Sequence, residues 1–386
     1  MKHTLRHLSS ALLLTGGILC SQNLWACERP EVYGYDYVDC LSDGLAKVKR
    51  DNKYGFIDKT GKVVIPPKYD WAYSFSEGLA GVMRNGRYGF IDKSGKVVIA
   101  IKYDEVDSFS EGLANIEQNG KHGFINQTGK VVIPLKYEAA QPFDGGLAWV
   151  RQNNKEGFID KTGKVIVPIE FNSTWSFYEG LARVEQNGKA GFVDKTGKVV
   201  IPLKYDSVSY FSEGLAEVEQ NGKAGFVDKT GKVVIPLKYD YTEPFKEGLS
   251  SVKKNGKYGF IDKTGKTIIP LQYDSAESFS EELALVSYNG KYGFVNKVGQ
   301  VTIPLQYDAA SSFSEGLTGV MRNNKWGFID KTGKVVIPLK YDDVTSFNNG
   351  TGGILDLSTG EAFYINRQGE RLYWLGEPGF SGFNRE

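Results

Sequence analysis

"NGKAGFVDKTGKVVIPLKYD" fills Asn187–Asp206 and returns letter for letter at Asn221–Asp240. The copies start 34 residues apart, and that interval governs most of the chain. A Gly-Phe pair recurs at Gly55, Gly89, Gly123, Gly157, Gly191, Gly225, Gly259, Gly293 and Gly327. A second glycine keeps the same beat from Gly44 to Gly350, interrupted only at Glu282. Such self-similarity marks a tandem repeat architecture. Counted from the Tyr-Asp step, ten modules begin at Tyr35, Tyr69, Tyr103, Tyr137, Phe171, Tyr205, Tyr239, Tyr273, Tyr307 and Tyr341. The last is degenerate, since "YINRQGERLYW" (Tyr364–Trp374) lags the register by two residues.

Turn chemistry assigns strands inside a module. "LARVEQ" (Leu181–Gln186) runs into Asn187-Gly188, and Asn-Gly favours the type I′ hairpin turn because both residues tolerate positive φ. "AGFVD" follows, then "KTG", whose glycine suits a left-handed turn position with a bulge. "KVVIP" is the third strand, and Pro202 is expected to end it for want of an amide donor. Each module therefore reads as a three-stranded antiparallel meander, with a short fourth strand in the return "LKYDSVSYFSEG" (Leu203–Gly214). No stretch carries a helical apolar period.

"GFI" and "VVI" are apolar at successive positions, which is the pattern of strands covered on both faces. One module has too little core to stand alone, so its neighbour is the expected cover. Phe56, Phe90, Phe124, Phe158, Phe192, Phe226, Phe260, Phe294 and Phe328 then form a buried spine. The expected fold is an all-β tandem array of ten 34-residue antiparallel β-meanders in an open superhelical stack. A closed, propeller-like ring is the alternative, although ten small blades exceed the usual number.

Residues 1–26 stand apart. Lys2 and Arg6 precede the apolar "ALLLTGGILC" (Ala11–Cys20), and "SQNLWA" ends on Ala26. That is the layout of a secretory signal, too short for a spanning helix. Residues 27–34 form a lead-in, 35–376 the array and 377–386 a tail. The mature chain is expected to be exported, periplasmic or extracellular. Cys27 and Cys40 suit a disulfide in an oxidising compartment, and lipidation of Cys27 behind "LWAC" is the minority alternative. Lys and Arg (47) balance Asp and Glu (46) with no cationic block, which argues against a nucleic-acid partner.

"NGKYGFIDKTGKVVIP", "NNKWGFIDKTGKVVIP" and the following "KYD…FSEGLA" resemble the WG-repeat family of bacterial proteins, named for a Trp-Gly pair. The resemblance spans about Tyr35 to Gly350. At the eponymous slot only Trp326-Gly327 is a true Trp-Gly pair; elsewhere it holds Tyr54, Tyr88, His122, Glu156, Ala190, Ala224, Tyr258 and Tyr292. The resemblance implies a β-rich module, often exported, used for binding or as scaffold, and it supplies no catalytic residues.

Little in the chain points to chemistry. Beyond the leader only His122 remains, too few histidines for a metal cluster or a catalytic triad. Carboxylates recur in "DKTG" (Asp58, Asp92, Asp160, Asp194, Asp228, Asp262, Asp330) and in "YD". Calcium would want such oxygens, but exchange with Asn126 and Asn296 fits turn capping better. No catalytic, metal or cofactor residue is expected.

Binding is the stronger reading. After "YD" the residues vary freely, as in "WAYS" (Trp71–Ser74) and "STWS" (Ser173–Ser176). The slot after Leu-Ala also varies, holding Lys47, Asn115, Trp149, Arg183, Glu217 and Leu285. Equivalent loops of a repeat array align on one side. Trp71, Tyr73, Trp149, Trp175, Tyr210 and Tyr241 are therefore the candidate contacts for a protein or an envelope glycan. A non-enzymatic binding scaffold is the expected function, ahead of a structural spacer and, distantly, a hydrolase.

Overall fold

Each module forms one four-stranded antiparallel sheet whose strands lie in chain order. In the sixth they are Ser207–Val208, Leu215–Gln220, Lys223–Asp228 and Val233–Tyr239. The computed structural model describes residues 27–372, which contain ten such sheets and no helix. The leader at 1–26, the last four residues of the array and the tail at 377–386 lie outside the described residues.

The turns explain the punctuation. Asn221 (φ 53°) and Gly222 (φ 69°) are both left-handed, as type I′ requires. Gly231 (φ 85°) closes the next turn, its amide donating to the Asp228 carbonyl at 2.9 Å. A third tight turn, Glu213-Gly214, links Ser212 to Leu215 with both residues at positive φ.

The short fourth strand in the return is Ser207–Val208, which opens the sheet and pairs with Leu215–Gln220. Two expectations need correction. Pro202 does not end its strand, which runs on to Tyr205. The ladder steps from Phe192↔Ile201 to Ala190↔Tyr205, so Pro202 sits in a bulge on the edge strand, where its missing amide breaks no ladder bond. The "VVI" run is not covered on both faces either. Val199 is 46% exposed, because this strand is the sheet edge and only Ile201 points into the core.

The bulge also accounts for the glycine present in every copy. A Cβ on Gly191 would stand 2.3 Å from the Ile201 carbonyl oxygen and 2.9 Å from the Pro202 carbonyl carbon. No side chain fits under that crossing.

The core lies between successive sheets. Leu181, Phe192, Ile201 and Tyr205 of one pack with Val208, Phe211, Val218 and Val227 of the next. Phe192 meets Phe211 at 5.2 Å and Phe226 meets Phe245 at 4.8 Å between ring centroids. Burying such a ring is worth about 1.5–3 kcal/mol before entropy is subtracted. Val227 points back at the preceding sheet while Phe226 points forward, so adjacent residues of one strand serve two cores.

Polar clasps run between modules too. Glu213 accepts from the Gly248 amide at 3.1 Å and pairs with Lys263 at 2.9 Å. Asp240 accepts from its own hairpin amide at Asn255 (2.7 Å) and from Lys223 of the preceding module (2.6 Å).

The chain divides into two compact bodies, up to Leu135 and from Lys136 onward, and this packing recurs inside each. In the first, Cys27 is disulfide-bonded to Cys40, with Cα atoms 5.4 Å apart. In the last sheet the hairpin between Thr351–Asp356 and Glu361–Asn366 has four loop residues where others have two. That insertion is the two-residue lag read in the sequence.

Candidate functional site: the variable face

Three variable positions of each module meet. The first follows the short strand, the second follows Leu-Ala, and the third precedes the invariant glycine. The Trp175 amide donates to the Arg183 carbonyl at 2.9 Å and the Glu243 amide to that of Ser251 at 2.9 Å, placing first beside second. Second and third lie on facing strands: Trp149 Nε1 donates to Glu156 Oε2 at 3.2 Å, and His122 Nδ1 lies 3.1 Å from Asn115 Oδ1.

The first position also meets the residue that follows the first position of the next module. In the first body Ser74 Oγ donates to Asp39 Oδ2 at 3.0 Å. In the second, Ser312 Oγ donates to Glu277 Oε2 at 2.6 Å, and the Trp175 and Tyr210 rings sit 4.6 Å apart. Residues on the variable side of neighbouring modules thus touch at several points within each body.

One part of this side is concave. Trp149, Glu156, Trp175, Tyr210, Gln141 and Ser173 line a cleft of about 370 Å³ in the second body. Trp149 comes from the strand Leu147–Gln152 and Glu156 from Lys155–Asp160, while the next sheet brings Ser173 and Trp175. Glu156 Oε2 also accepts from the Thr174 amide (2.7 Å) and hydroxyl (3.2 Å). The Arg183 guanidinium lies 4.4 Å over the Trp175 ring and bonds Glu185 at 3.1 Å.

The six aromatic candidates therefore fall in three places. Trp149, Trp175 and Tyr210 share the cleft. Trp71 and Tyr73 are neighbours in the first body, 6.4 Å apart, with Tyr54 5.1 Å from Trp71 and Lys47 over its ring. Burial pushes the Tyr73 phenol up to about 12. Gly81 makes room for that ring, since a Cβ there would stand 2.9 Å from it. Tyr241, 46% exposed, pairs with Tyr258 at 6.3 Å, away from the others. Sequence reasoning passed over Gln141 and Glu156 as contacts. Glu156 carried a signal, being the only carboxylate in the slot before the invariant glycine.

A second acidic spot lies further along. Burial pushes the Glu217 carboxyl up to about 7; Thr242 opposes the rise, while the charges of Glu219 and Glu243 add to it.

The repeated carboxylates have local work. Asp194 Oδ1 accepts from the Thr196 hydroxyl (2.6 Å) and amide (2.8 Å) and from the Lys198 amide (3.1 Å). Chiefly the Thr196 hydroxyl, with help from the two amides, holds this carboxyl below its ordinary value. Among the described residues no group of three or more His, Cys, Asp or Glu is placed to hold a metal ion. No helix among them is long and apolar enough to cross a membrane.

The fold defines a tandem β-meander repeat protein. The model of the WG containing repeat matches residues 34–54, 54–88, 88–121, 123–155, 157–189, 191–223, 225–258, 258–292, 292–326 and 326–354. The chain belongs to that repeat family. No curated protein matches the chain in sequence. Among solved structures, a eukaryotic initiation factor is similar over 82% of this chain and 96% of its own, at 14% identity and a TM-score of 0.37. BamB from Moraxella catarrhalis is similar over 70% and 91%, at 10% identity and a TM-score of 0.30. The C-terminal WD40 domain of Sif2 is similar over 67% and 93%, at 13% identity and a TM-score of 0.30.

Proposed function

We propose that this chain is an exported, non-enzymatic scaffold that holds a partner on its variable side. The carrying observation is the convergence: residues that differ between otherwise matching modules meet within a module, as Trp149 with Glu156 and Asn115 with His122, and across modules in the Trp175–Tyr210 ring pair. A binding role without chemistry is further supported by the repeated "DKTG" and "YD" carboxylates, which are spent on turns and inter-module pairs. Export is supported by the leader sequence and by the Cys27–Cys40 disulfide, a bond that persists in oxidising compartments.

Two experiments test the reading. Fractionation of cells expressing the full chain should recover it outside the cytoplasm, cleaved before Cys27. Capture from envelope extract should fall when Trp71, Trp149 and Trp175 are all changed to Ala. Equal capture by parent and variant would leave the spacer role instead.

A further inference from the structure

We propose that the Trp149–Trp175 cleft is a subsite for a neutral glycan, a pyranose chain laid against its aromatic rim. This rests on the binding-scaffold reading and names its ligand class. The cleft joins two successive modules of the second body. Only here does a tryptophan in the second variable position face a carboxylate in the third; the equivalent pairs are Lys47/Tyr54, Gly81/Tyr88, Asn115/His122, Arg183/Ala190, Glu217/Ala224, Ser251/Tyr258, Leu285/Tyr292 and Gly319/Trp326.

Its chemistry selects the ligand. At about 370 Å³ the cleft lies within the range of small-ligand sites, about 300–1,000 Å³. Two indoles and a phenol offer flat apolar surface, which suits the C–H faces of a pyranose. Glu156, Gln141 and Ser173 supply acceptors and donors at its edge for ring hydroxyls. Charge excludes the alternatives. A cationic ligand would compete with Arg183, which already covers Trp175 at 4.4 Å. An anionic sugar would meet the Glu156 carboxylate. What remains is uncharged, with apolar faces and many hydroxyls.

The test titrates the mature chain with cellohexaose and chitohexaose, and with oligogalacturonate and choline as charged comparators, reading tryptophan fluorescence and calorimetric heat. A neutral hexasaccharide should saturate, and neither comparator should. Trp175→Ala and Tyr210→Ala should each weaken binding by about tenfold or more, with Glu156→Gln weakening it less. Tyr210 is 47% exposed, so its variant should keep the parent's thermal midpoint and guards against loss through misfolding. No saturation by either neutral sugar, unchanged binding in Trp175→Ala and Tyr210→Ala, or equal binding of oligogalacturonate would overturn the proposal. If the sugars fail while the triple tryptophan variant still loses envelope capture, the glycan assignment falls and the scaffold reading stands.

Discussion

The carbonyl oxygen of Ile201 lies where a Cβ of Gly191 would be, 2.3 Å from that position. The same crossing recurs at Gly157, Gly225 and Gly259, each set against the backbone of its own edge strand. Backbone cannot swing aside as a side chain can. Gly191→Ala should therefore cost about 3 kcal/mol or more, read as a lowered denaturant midpoint. Gly188→Ala, at a left-handed position with open space around it, should cost only about 1 kcal/mol. Equal losses would mean that conformation and not the crossing selects glycine.

Phe226 and Phe245 belong to successive sheets and meet edge-on at 4.8 Å. Each is almost fully buried, so either change to Ala should cost about 3–5 kcal/mol. The double variant should fall short of the sum by about 0.5–1.5 kcal/mol, the part owed to the ring pair. Strict additivity in chemical denaturation would refute direct contact between modules here.

Glu282 occupies a slot that is glycine in the preceding modules, and it is held at φ 74°. An L-residue pays about 1–2 kcal/mol there. Its amide bond to Glu247 would survive replacement. Glu282→Gly should therefore raise stability by about 1 kcal/mol, and a lower melting temperature would contradict it.

Glu217 sets a pH dependence. Its folded value of about 7 stands above the ordinary 4.5, so the folded state holds the proton more tightly. No penalty exists below the unfolded value, where both states are protonated. Stability is lost as pH rises from there through the folded value. Glu217→Gln should remove that loss, making the protein about 1–3 kcal/mol more stable than the parent at pH 8 and little different at pH 4. The turn carboxylates, shifted downward, act at lower pH. Identical slopes of stability between pH 5 and pH 8 would sink the assignment.

Much of this architecture was legible because its signals are local. Asn-Gly and Lys-Thr-Gly specify φ at single residues, and a 34-residue period shows in one dimension. The spine phenylalanines followed from the need of a small sheet for a cover. Pro202 misled because a proline reads as a strand end unless the strand is known to be an edge with a bulge, and edges exist only once strands are paired. "VVI" misled for the same reason, since exposure of Val199 depends on which side of the sheet lacks a neighbour.

By itself, then, the sequence determined the repeat, its turns and its all-β character, since these depend on backbone preferences within a few residues. Tertiary structure decided which variable residues meet. Trp149 and Glu156 sit on different strands, Trp175 follows a strand of the next sheet, and Tyr210 lies a module beyond. Their encounter is set by strand register and by the stacking of one sheet on the next, distances that no single stretch of chain encodes.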